Sequence, residues 1–291
     1  MTLPTDVVDL ILSFLQSDPA ALKACAQSHP NLSNLSERYI YANIILYEGH
    51  RVSTLGSLEG LKTSKFSRLL AKSPEIANHV RILKVYLNDD ADIEQSQAMA
   101  FHLNNLAWIL PLLSGLTRIT LAGTPDNWYH FSWRTLPEAF CQAVLHVLHI
   151  QGMKAVTLSR VAYFPMSLLN NCKDIRITLD KCEEMQYDEE PIEDVSFPAF
   201  EHLSIRNCSA TSLKNTMAWI RNHKLRTLNA AGDVGKFWKS FPRLLAACSS
   251  SLTHLELDIA DHCTFSFVEH HSESWSSYQF KLFPRSPITL R

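Results

Sequence analysis

The sequence predicts an α/β chain, a short helical N-terminal segment followed by an irregular solenoid of strand-and-helix units. Three observations predict it. Val8, Ile11, Leu12 and Leu15 recur at three- and four-residue steps, the spacing of one helix face. The pattern apolar-x-x-apolar-x-apolar then returns from Val80 to Leu257, as expected of strands that bury one side. Between the copies lie stretches of helical spacing.

The opening LPTDVVDLILSFLQSDPAALKACAQSHPNLSNLSERYIYANIIL accounts for the helical segment. Thr5 or Asp6 is placed to cap a first helix, because a side-chain oxygen there satisfies orphan amide donors. Ser17, Asp18 and Pro19 stop it after about three turns, and a second helix is expected from Pro19 to Gln27. The apolar stretch from Val7 to Leu15 is interrupted by Asp9 and has no basic leader, so it reads as a retained helix rather than a secretory signal.

The strand pattern appears as Val80/Leu83/Val85, Leu116/Ile119/Leu121, Met153/Val156/Leu158, Phe200/Leu203/Ile205 and Leu252/Leu255/Leu257, with weaker copies at Ile177/Leu179 and Leu225/Leu228. Its middle residues Leu83, Ile119, Val156, Ile177, Leu203, Leu228 and Leu255 are separated by 36, 37, 21, 26, 25 and 27 residues. The last four spacings match a leucine-rich-repeat period, and Cys182 and Cys208 stand where that repeat uses a small polar residue to bond backbone in the turn. Helices are expected over residues 104–113, 137–149, 165–171, 212–222 and 236–248, which makes the body an irregular leucine-rich-repeat solenoid with its strands along one recognition face. A doubly wound α/β domain shows the same alternation. Its nucleotide-binding form needs a glycine-rich turn, and the chain has eight glycines and neither GxGxxG nor GxxxxGK[ST].

Composition narrows the function. Lys and Arg number 27 against 29 Asp and Glu, a net charge of -2, which is no footprint of a general nucleic-acid binder. No apolar run approaches the roughly 18 residues of a membrane-spanning helix. Seven scattered cysteines without a CxxC pair argue against a disulfide framework or a clustered thiolate metal site. His146 and His149 share a helix face but have no HExxH companion, so no metal or other cofactor is expected. His270, His271, Ser272 and Ser57 lack a G-x-S-x-G elbow, so the chain is not expected to be an enzyme.

Residues 183–194 carry seven acids and no base, the composition of a solvated loop. Trp108 and Trp219 fall in helical segments and are expected in the core. Trp128 and Trp133 frame an aromatic loop, where rigid aromatics make partner contacts.

Leu3-Pro4, the run Val7 to Leu15 and Ala21-Leu22-Lys23-Ala24-Cys25 resemble the start of an F-box. The body resembles, in its layout, the repeat portions of fungal F-box-like proteins. The resemblance implies that Leu3, Pro4, Val8, Ile11, Leu12, Leu15 and Leu22 contact a Skp-type adaptor protein and, through it, a cullin ubiquitin ligase. It implies a substrate-recognition role in the cytoplasm or nucleus, the repeat surface holding an unidentified target protein. The expected boundaries are an adaptor segment at 1–48, a connector at 49–78, the repeats at 79–265 and a tail or cap at 266–291. A repeat protein that binds partners outside ubiquitination, and an α/β-hydrolase-like enzyme, are the alternatives.

Overall fold

The computed structural model of the chain describes residues 4–48, 62–87, 93–123, 130–149, 152–169, 175–186, 201–220, 225–232, 234–259 and 263–268. Leu3, Ser57, Trp128, most of the acidic stretch after Gln186, and His270 to Ser272 lie outside these residues. The helices are α1 (Thr5–Phe14), α2 (Pro19–Ser28), α3 (Pro30–Ile40), α4 (Thr63–Lys72), α5 (Ile93–Ile109), α6 (Glu138–Leu148), α7 (Ala210–Ile220) and α8 (Val234–Cys248). The strands are β1 (Asn43–Glu48), β2 (Ile82–Leu87), β3 (Arg118–Gly123), β4 (Phe131–Ser132), β5 (Ala155–Ser159), β6 (Val161–Ala162), β7 (Arg176–Asp180), β8 (His202–Arg206), β9 (Thr227–Gly232), β10 (His254–Ile259) and β11 (Cys263–Val268).

Two compact units divide the chain, one of residues 1–86, 90–119 and 137–152, the other of residues 87–89, 120–136 and 153–291. In the first, local chemistry sets the helix starts. Asp18 accepts hydrogen bonds from the Ala20 and Ala21 amides at 3.1 and 3.0 Å, and Pro19 opens α2 without wasting a donor. At α3 the His29 Nδ1 accepts from the Asn31 amide at 3.1 Å, again with a proline, Pro30, following. The expected cap at Thr5 or Asp6 is not formed: α1 starts directly after Pro4, with no side-chain cap. Pro4 supplies the fixed φ and a carbonyl that accepts from the Val7 and Val8 amides. Leu46, Phe66, Leu83, Val85, Leu103, Leu106, Phe140 and Val147 are buried in this unit.

The second unit is organised by register. Strands β5, β7, β8, β9 and β10 are successive parallel neighbours, and β11 closes the edge antiparallel to β10. Val156, Ile177, Leu203, Leu228 and Leu255 form one buried row, and Leu158, Leu179, Ile205, Ala230 and Leu257 form the next. Helix α7 contributes Leu213 and Trp219, and α8 contributes Phe241 and Leu244. β5, β7 and β8 are each followed by a residue of positive φ, Arg160, Lys181 and Asn207 at 55°, 50° and 50°. The left-handed turn costs energy in residues with a Cβ. It is offset because each donates its amide to the end of the next strand, at Asp180, Arg206 and Ala231, over 2.8, 2.7 and 2.9 Å.

These strands overturn the solenoid expectation. The chain forms a mostly parallel sheet with helices in the connections from β1 to β2, β2 to β3, β3 to β5, β8 to β9 and β9 to β10, an α/β arrangement, and no solenoid follows the N-terminal helices among the described residues. The physical reason is that a parallel neighbour requires a crossover of a dozen or more residues, often helical, so a period in the twenties or thirties arises in either architecture. The missing glycine motif bears on dinucleotide binding and says nothing about the sheet itself.

No described helix is long and apolar enough to cross a membrane. Two thiols have a consequence for stability. Burial pushes the Cys141 thiol up to about 11 and the Cys248 thiol up to about 12, whereas an unfolded thiol ionises near about 8.5. Above that value the unfolded chain binds fewer protons than the folded one, so stability falls as pH rises toward 11 to 12. Urea midpoints taken from neutral to alkaline pH will decline, and Cys248→Ala will flatten the decline. In the buried row, Leu203→Ala will lower the unfolding free energy by about 2–5 kcal/mol in the same titration.

Candidate functional site

Helix α1 is apolar on two sides. Val8, Leu12 and Leu15 form the inward side, with Leu12 only 1% exposed. Val7, Leu10, Ile11 and Phe14 form the outward side at i, i+3, i+4 and i+7, with exposures of 41, 57, 47 and 76%. The helix is held so that this second stripe stays out. Leu12 anchors it, α1 packs on α3, and the Tyr39 hydroxyl donates to the Asp9 carbonyl at 3.2 Å. Burial and then the neighbouring Asp9 hold the Tyr39 phenol above its ordinary value, so it remains a donor across the neutral range.

The sequence-derived contact set is thereby divided. Pro4 and Ile11 are exposed, Val8 and Leu15 are half-buried, and Leu12 and Leu22 are inside the core, which withdraws those two from any surface. Val7, Leu10 and Phe14 were not singled out. Their signal was present, since a ten-residue helix with apolar residues at positions 7, 8, 10, 11, 12 and 14 cannot bury them all against one neighbour.

A second exposed apolar set runs along α5 and the turn after it, with Phe101, Trp108 and Leu112 at 63, 81 and 57%. Trp108 is thus a correction to its expected core position, while Trp219 is fully buried. Trp133 is also displaced from expectation. It is buried in a short 3-10 turn and meets Phe164 edge-on at 4.7 Å, so it packs the second unit's interior instead of facing a partner.

The positions that alternate with the buried rows of the parallel sheet are mostly polar. Register aligns Arg176, His202, Thr227 and His254 in one row, Thr157, Thr178, Ser204, Asn229 and Glu256 in the next, and Ser159, Asp180, Arg206 and Asp258 in the third. Ser159 Oγ donates to Asp180 Oδ2 at 2.9 Å. Ser204 Oγ and Asn229 Oδ1, register neighbours, are buried with no hydrogen-bond partner among the described residues. Buried polar atoms without a partner cost free energy, so these two positions are a local cost of the sheet. Nearby, His130 Nε2 donates to the Lys181 carbonyl at 2.6 Å and its Nδ1 lies 3.3 Å from Glu183.

His146 and His149 lie at the end of α6, and no group of three metal-ligating side chains is assembled among the described residues. Compared with family models, curated proteins and solved structures, the chain matches none.

The two sides of α1 separate in a stability measurement. Phe14→Ser will leave the unfolding free energy from a urea titration nearly unchanged, within about 0.5 kcal/mol. Leu12→Ala, two positions away on the other side of the helix, will cost about 2–5 kcal/mol.

Proposed function

We propose that the chain is a substrate-recognition subunit of a Skp/cullin/F-box-type ubiquitin ligase, docking a Skp-type adaptor protein through α1 and its neighbouring helices. The observation that carries this is the outward stripe Val7, Leu10, Ile11 and Phe14 beside the exposed Pro4. A helix that has already filled its interior contacts with Leu12 keeps four more large apolar side chains in water. Full burial of such a side chain is worth about 1.5–3 kcal/mol, and covering the part of these four that is still exposed contributes a share of that toward offsetting the cost of association.

The polar sheet face is the surface for the target protein. Its rows combine cationic, hydroxyl, amide and acidic side chains, which suits a polar protein segment better than an apolar ligand. Transfer of ubiquitin falls to other subunits, and the chain acts by proximity, raising the effective concentration of target lysines near the charged enzyme. An intracellular location, cytoplasmic or nuclear, follows from that role.

A pull-down with purified Skp-type adaptor tests the docking. Wild-type chain will be retained, and Ile11→Asp and Phe14→Asp, each verified as folded by circular dichroism, will weaken binding tenfold or more, about 1.4 kcal/mol. Undiminished binding by both folded variants, or no retention of the wild type, overturns the proposal.

A further inference from the structure

Cys182 and Cys208 occupy equivalent places after adjacent strands. Asp180 pairs with Arg206 in the register of β7 and β8, and each cysteine lies two residues further on. The backbone stays paired across that interval, with Lys181 donating to the Arg206 carbonyl at 2.7 Å and Ser209 donating to the Cys182 carbonyl at 3.1 Å. Neighbouring strands run about 4.8 Å apart, inside the roughly 4.4–6.8 Å window of Cα separations that a disulfide spans. Cys182 Sγ donates to the Leu158 carbonyl at 3.3 Å, and Cys208 Sγ donates to the Leu179 carbonyl at 3.6 Å.

The two sulfurs differ in environment. Cys182 is buried, while Cys208 is half-buried and precedes the first turn of α7, where Ser209 Oγ accepts from the Ser212 amide. The neighbouring Cys182 side chain holds Cys208 below the ordinary thiol value, and burial holds Cys182 well above it. Neither thiol enters the docking stripe or the target face. The other described thiols with a resolved shift, Cys141 and Cys248, are suppressed by burial at about 11 and about 12.

We propose that Cys208 and Cys182 form a peroxide-reactive thiol pair, with Cys208 the attacking sulfur and Cys182 the resolving sulfur, closing to a disulfide between the turns after β7 and β8. In the first step the Cys208 thiolate attacks one oxygen of hydrogen peroxide. An S–O bond forms, the O–O bond breaks, and the departing hydroxide takes up the thiol's proton as water, leaving a sulfenic acid. In the second step the Cys182 sulfur attacks the Cys208 sulfur. The S–S bond forms, the S–O bond breaks, and hydroxide leaves as water with the Cys182 proton. Sulfur loses two electrons in all and the peroxide gains them.

The test uses the full-length chain. After incubation with hydrogen peroxide, two of the seven thiols will be lost to a thiol-titrating reagent, the mass will fall by two hydrogens, and proteolysis will yield one peptide joining Cys182 to Cys208. Dithiothreitol will restore both thiols. Cys182→Ser, with no resolving sulfur, will accumulate a sulfenic acid at Cys208 that dimedone labels. An unchanged thiol count, a linked peptide between other cysteines, or irreversible oxidation at Cys208 with Cys182 still free overturns the proposal. The wild-type peptide map decides the matter even where the serine variant fails to fold.

Discussion

In-register alignment of apolar residues across parallel strands is the constraint on which the second unit depends. Val156, Ile177, Leu203, Leu228 and Leu255 each bury one side chain beside the next, so a slip of one residue in any strand would turn a whole apolar set outward. The left-handed residues Arg160, Lys181 and Asn207 belong to the same device. Their strained turns aim an amide at the end of the neighbouring strand and so fix where each strand stops relative to the next. Because the apolar positions use one face, the alternate positions are free to be polar, and the same register that builds the core also sorts Thr157, Thr178, Ser204, Asn229 and Glu256 into a line.

The N-terminal helices follow a different rule. Here no sheet defines the interior, and helix packing together with a few hydrogen bonds decides which side of α1 faces in. Leu12 and the Tyr39 hydroxyl settle it, and the consequence is that Val7, Leu10, Ile11 and Phe14 face water. Isolated exposed apolar residues are common on protein surfaces. Four on successive turns of one short helix form a patch, and a patch has an interaction cost that only a partner removes.

The thiols show how one residue type takes on different chemistry by position. Cys248 lies inside the helical layer, bonds the Leu244 carbonyl at 3.2 Å and behaves as a small apolar group. Cys182 and Cys208 instead stand where the strands end and backbone carbonyls converge, and their adjacency is a product of the strand register. Twenty-six positions apart in the chain, they meet only because β7 and β8 are neighbours.

Much of the element list was legible in the sequence. Helix α2 was bounded by Asp18 and Pro19, a local signal, and the strand triplets were bounded by their alternation, which depends only on which side of a strand each residue takes. What periodicity does not carry is the arrangement of the strands, since a repeat solenoid and a parallel α/β sheet make the same demand on each unit and differ in how units assemble. The outward stripe of α1 was half legible for a related reason. Ile11 and Leu12 are adjacent and equally apolar, yet packing against α3 puts one in water and the other in the core. Trp108 and Trp133 exchanged their expected places because tryptophan suits either environment. Sequence determined which residues are apolar and at what period; tertiary contacts alone decided which apolar side met another surface, because burial belongs to pairs of surfaces and not to single segments.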